Sequence, residues 1–151
     1  MIRSLLPCLG LLLILTGCLS QPVPTESHPT CSWTTEPPKD ADQVCTRVFA
    51  VLTTVTRAIS QGDERTIRRH AAPDVAAHII LYARQLRPLH PTGLHVVPSF
   101  TMSVDKPALY GAGFYVLGKT RQAPIKDQES VYVRVTSKSV HIAHDQTQQY
   151  W

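Results

Sequence analysis

Long hydrophobic runs are missing from this 151-residue chain. The most extended, Leu5 to Leu15, covers eleven residues and is interrupted by Pro7, Cys8 and Gly10. A membrane-crossing helix needs roughly 20 apolar residues for about 30 Å of hydrocarbon, so this run is too short to span. Charge is also sparse, at 17% Asp, Glu, Lys and Arg, with a formal net charge of +4. The only dense basic group is Arg65, Arg68 and Arg69, which reads as the solvated face of one helix. With no basic stripe and no interleaved aromatics, a nucleic-acid partner is not expected. The four cysteines form no CxxC pair, and no HExxH occurs. Zinc needs three or four converging ligands, so no metal site is expected. Neither GxSxG nor a glycine-rich phosphate loop is present, and no Cys–His nucleophile stands outside Cys31 and Cys45. No catalytic residue and no cofactor is assigned.

What the chain does contain starts at its beginning. "MIRS" supplies a positive n-region in Arg3, and the short apolar run fits a secretory h-region. It ends not on an A-x-A site but on Leu15-Thr16-Gly17-Cys18. That ending resembles the lipobox of bacterial prolipoproteins. The resemblance implies removal of residues 1–17, a diacylglycerol on the Cys18 thiol and a mature chain that begins at Cys18. Two acyl chains, or three, provide the double anchor that stable membrane residence needs. The expected location is the extracytoplasmic face of a bacterial cell membrane. Leu19 stands where an Asp would resemble an inner-membrane retention signal, so the outer membrane is expected if the host is Gram-negative.

Residues 18–39 follow as a Pro/Ser/Thr-rich segment. Pro22, Pro24, Pro29, Pro37 and Pro38 favour extended backbone and oppose helix or central strand, as in a tether. Cys31 lies within it and Cys45 just beyond. In an exported chain such an even pair can form a disulfide, which would staple the tether to the domain beside Trp33. Two separate thiols are the other reading.

Residues 40–151 read as one α+β domain, in which N-terminal helices pack on a curved antiparallel sheet of about four strands. In 40–61, Val44, Val48, Val51, Leu52, Val55 and Ile59 recur every three or four residues. Asp40 or Asp42 can cap the start, and Gly62 suits a left-handed end. Asp63 opens a short helix to His70. A third helix begins near Pro73, with Val75, Ile79, Tyr82, Ala83 and Leu86 on one face. Beyond Pro91 the period falls to two. Val96, Phe100, Met102 and Val104 mark one strand and Leu109 to Thr120 a second. Val131, Val133 and Val135 alternate with Tyr132, Arg134 and Thr136 in a third, and "SVHIAHD" follows a turn at Ser137-Lys138. Gly111 and Gly113 share a face, which predicts a bend or a close approach.

Helices joined through "AISQGDERTIRRHAAPDV" and followed by antiparallel strands resemble nuclear-transport-factor-2-like domains, including the SnoaL-like group. Ala58, Gly62, Asp63, Ile67 and Asp74 carry the phrase that links the first two helices of those domains. The short strand that group usually places near Pro73 is not evident. The resemblance implies a cone whose interior can hold a pocket. Some relatives are isomerases, dehydratases or cyclases, and many have no catalysis at all.

On that picture His78 borders the apolar face of the third helix and can point into the cone. Tyr82, Tyr132 and Arg134 complete the residues expected to line such a pocket. Other titratable groups, His70, His95, His141, His144, Asp74, Asp105 and Asp145, show no converging pattern. The expected function is that of a membrane-anchored lipoprotein with a small, non-enzymatic ligand- or protein-binding domain. Its partners would be the membrane, through the lipid, and an envelope protein or small hydrophobic ligand. The rivals are a SnoaL-like isomerase or cyclase acting on a small hydrophobic substrate, and a structural part of an envelope secretion or conjugation complex.

Overall fold

The computed structural model describes residues 29–91, 93–119 and 124–143. Three helices come first after a short strand, and the other strands follow. β1 is Ser32–Trp33, α1 Ala41–Gln61, α2 Glu64–His70 and α3 Pro73–Leu86, the last running into a 3-10 turn, Arg87–Leu89. β2 is His95–Pro98, β3 Thr101–Lys106, β4 Leu109–Lys119, β5 Pro124–Val135 and β6 Val140–Ala143. The class is α+β, with three helices on a six-stranded sheet ordered β1-β3-β4-β5-β6, while β2 also pairs with β4. The lipobox with Cys18, most of the tether, His144, Asp145 and the terminal Tyr150 and Trp151 lie outside the described residues.

α1 forms where apolar residues repeat at helical spacing, and it buries Val44, Val48, Leu52, Val55 and Ile59 against the sheet. Asp40 occupies the N-cap position but makes no side-chain cap bond there. Gly62 ends the helix in the left-handed region at φ 74°. There the Arg87 guanidinium donates to the Ile59 carbonyl at 3.2 Å, a cation at the negative end of a helix. Asp63 caps α2 by accepting from the Thr66 N–H at 3.1 Å and the Thr66 hydroxyl at 2.6 Å. Those two bonds hold its carboxyl below the usual carboxylate range.

Among the described residues, the contact between helices and sheet is a packed apolar core. Leu52, Ile59, Ile67, Phe114, Val133 and Ile142 meet there, each at most 1% exposed. At about 1.5–3 kcal/mol for each such side chain, this packing is the main stabilising term.

The sheet has six strands where about four were expected, for two local reasons. The stretch read as one strand from Val96 to Val104 is broken. Pro98 pairs with Phe114 and Ser103 with Gly111, so Ser99 to Met102 stand opposite only Ala112 and Gly113. The extra backbone bulges out, and the Ser99 N–H donates to the Gly113 carbonyl at 2.8 Å. Phe100, expected on the inward face, is instead 50% exposed and stacks on Phe49 of α1, ring centroids 4.9 Å apart. The other addition is β1, which lies within the segment assigned to the tether. It runs parallel to β3 with Trp33 opposite Met102, and the Ser32 N–H donates to the Phe100 carbonyl at 2.8 Å. Near Pro73, Ala71 makes a single parallel bridge to Ile142.

Gly113 faces the neighbouring backbone so closely that a Cβ would sit 2.5 Å from the Glu129 carbonyl oxygen on β5. Backbone in the middle of a sheet cannot step aside cheaply. Gly113→Ala is therefore expected to cost about 1–3 kcal/mol, read as a lower denaturant midpoint with an unchanged slope.

Candidate functional site

Antiparallel register makes rows across a sheet, because directly opposed residues share a face. One row runs Ser103, Gly111, Tyr132 and Ala143 across β3, β4, β5 and β6. It lies on the side away from the helices, since Tyr110, Phe114, Val131 and Val133 take the opposite parity and are buried. Gly111 leaves a gap in the row, and a Cβ there would collide with the Ser103 hydroxyl.

Around this gap lies an open groove of about 410 Å³. One wall is the chain just after β1, Thr34 and Thr35; the other is Ser130 and Tyr132 of β5. Thr101 and Asp105 of β3 reach it from the third side. Its volume falls within the roughly 300–1,000 Å³ of small-ligand sites.

The first wall is held by hydrogen bonds to β3. The Thr34 N–H donates to the Met102 carbonyl at 2.9 Å, and the Val104 N–H donates to the Thr35 hydroxyl at 2.8 Å. Cys31 and Cys45 form a disulfide, Cα atoms 5.9 Å apart, which ties the entry of β1 to the first turns of α1. Trp33 packs edge-on against Tyr110, ring centroids 6.1 Å apart, on the helix side of the sheet. Burial, and then the negative charge of Asp40, push the Tyr110 phenol above its ordinary value of 10.0.

No protein-family model matches the chain, and no curated protein matches it. Among solved structures it is similar to a Bacillus cereus protein provisionally named a polyketide cyclase. The two are 14% identical, with 78% of this chain and 86% of that one covered, at a TM-score of 0.47.

The four residues expected to line an interior pocket are not brought together. α3 turns Ala76, Ile79, Ile80 and Ala83 inward, which leaves His78 exposed. Tyr82 is half-buried against the helix-side core. Tyr132 lines the groove on the opposite side of the sheet. Arg134 shares that face two residues further on, opposite His141, but does not line the groove.

Other histidines are scattered: His70 ends α2, His95 is exposed on β2 and His141 half-buried on β6. His90, 4% exposed in the turn after α3, was missed because "RPLHP" carries no periodic signal. Among the described residues no three His, Cys, Asp or Glu side chains converge as metal ligands, and no helix is long and apolar enough to cross a membrane. Thr34 and Thr35 escaped notice because a Pro/Thr-rich segment reads as linker until its partner strand is known.

Two outcomes follow from this wall. The disulfide closes a loop of the size worth about 3 kcal/mol in chain entropy. Replacing both Cys31 and Cys45 by Ser should lower unfolding free energy by that order, measured in denaturant. Tyr110 bears on alkaline stability. A phenol whose folded pKa is raised contributes stability that is complete below its unfolded value of 10.0 and lost as pH rises through the folded one. Thermal melts should therefore fall more steeply with alkaline pH for the native chain than for Tyr110→Phe, and equal slopes would refute the assignment.

Proposed function

We propose that this chain is a lipid-anchored bacterial envelope lipoprotein whose domain is a non-enzymatic binding module, working through the outer face of its sheet. The packed helix-side core of the described residues supports the second half of that reading. Isomerase or cyclase chemistry inside a cone needs a hollow where a substrate and a titratable group meet out of water. Here Phe114, Leu52 and Ile142 occupy that space, each at most 1% exposed. His78, the foremost candidate base, lies on the solvent side of α3. Room for a ligand lies on the other side of the sheet, in the groove beside Gly111.

The anchor rests on Leu15-Thr16-Gly17-Cys18 at the end of a short apolar run. A disulfide at the head of the domain suits an oxidising compartment. The hydrophobic ligand first expected gives way to a polar one, because Thr, Ser and Asp side chains surround the groove. If the host is Gram-negative, Leu19 favours the outer membrane.

Cys18→Ser tests the anchor. In a bacterial host the native chain should incorporate labelled palmitate and lose residues 1–17, whereas the variant should incorporate none and keep its leader. Equal palmitate labelling of the two chains, or no labelling of the native one, would overturn the anchor.

A further inference from the structure

We infer that the outward side of the α2–α3 helix pair is a docking face for an anionic phospholipid bilayer. It lays the domain down on the membrane that holds its lipid anchor. This rests on the anchored reading of Cys18 and extends it from the tether to the folded part.

α2 buries a single side chain, Ile67. At 3.6 residues per turn the opposite side of that helix carries Arg65 and Arg69, both exposed. Four residues apart, these cations stand one above the other, a spacing that costs a helix stability when the charges are alike. Among the described residues neither side chain has a hydrogen bond or an ion pair. The acids nearby are occupied. Glu64 accepts from Arg84 of α3 at 2.8 Å and pairs with Arg68 at 4.0 Å. Asp63 caps α2, and its carboxyl answers first to the Thr66 hydrogen bonds and only last to the field of Arg65. Asp74 has an interaction of its own within the chain.

The Glu64–Arg84 contact also fixes how the two helices lie. Glu64 opens α2 and Arg84 is near the end of α3, so the pair is antiparallel. Four residues on from Glu64 stands Arg68, and three back from Arg84 stands Leu81, which puts them at neighbouring places across the pair. Leu81 is 56% exposed, and Leu89, in the turn beyond α3, is 64% exposed. Singly, an exposed leucine or an arginine cluster names no partner. Together they are the two parts of an interfacial surface: the apolar tip enters the boundary between headgroups and acyl chains, and guanidinium groups meet phosphates.

The sequence of α2, ERTIRRH, has no aromatic on which a nucleic-acid base could stack. The tether decides for the bilayer. Cys18 lies eleven residues before Pro29, at most about 40 Å of chain. A membrane holding the acyl chains is therefore always within reach of the domain, at the high effective concentration of a short linker. Docking through the helix layer turns the opposite face of the sheet, with its groove, away from the lipid.

The test uses the mature acylated chain, purified from a bacterial host and reconstituted in phosphatidylcholine vesicles with or without about one-third phosphatidylglycerol. Leu81→Trp places an indole at the contact, where brominated acyl chains quench it. Trp33 and Trp151 give a background that is read from the native chain. With phosphatidylglycerol the added indole should be quenched. Without it, or in about 1 M salt, where the screening length falls to about 3 Å, quenching should return to background. Arg65→Gln and Arg69→Gln should each lower the ratio of docked to undocked chain about fivefold. Both positions are exposed, and melting curves check that the variants are folded.

Quenching that is equal in the two lipids, absent from both, or unchanged when both arginines are replaced overturns the inference. Palmitate labelling separates it from the anchor. A chain that takes up palmitate but shows no such quenching loses the docking face alone, whereas a chain that takes up none loses both.

Discussion

β4 hydrogen-bonds to β5 along its whole length, from Leu109 opposite Arg134 to Lys119 opposite Pro124, and divides its other edge between β2 and β3. Sharing one edge between two strands forces the bulge at Ser99 and Phe100. The close approach of β5 requires glycine at position 113, where any Cβ would meet the Glu129 carbonyl. The same strand supplies Phe114 and Val116 to the core on one face and the gap at Gly111 on the other. Packing and groove are thus two sides of one strand, and alternation by two ties them together: a one-residue slip of β4 would exchange its core side chains with its glycines.

A second coupling runs through the disulfide. Without β1, the outer edge of β3 would present unpaired N–H and C=O groups, the usual liability of an edge strand. Ser32 to Thr35 cover that edge, and their own composition gives them little reason to stay there. Their hold comes from the bond to Cys45, from the Trp33 ring against Tyr110, and from backbone bonds to Phe100 and Met102. Residues that read as linker become both an edge cover and one wall of the groove.

Much of the fold was legible in the chain. The α1 face, the Gly62 end, the Asp63 cap and the alternation of β5 are local features, governed by neighbours three or four residues away, or two, and the structure keeps them all. The misreadings share a cause. Phe100 fits the alternation but lies in a bulge that only the register with β4 reveals. His78 borders an apolar face whose rotation is fixed by the packing of Ala76, Ile80 and Ala83. Of the four residues expected to line a pocket, only Tyr132 lines the groove, and it does so on the other side of the sheet from the one expected.

The sequence by itself determined the order of elements, the helix ends and which residues of each strand share a face, since backbone sterics and burial periodicity act over a few residues. It also carries the lipobox-like ending at Cys18, a signal written in consecutive side chains. Tertiary structure alone decided which faces are covered and which rows align. The pairing of Ser103, Gly111 and Tyr132, and the arrival of Thr34 beside them, depend on register between strands far apart in the chain. No local pattern encodes that register; it is set when the core on the opposite face closes.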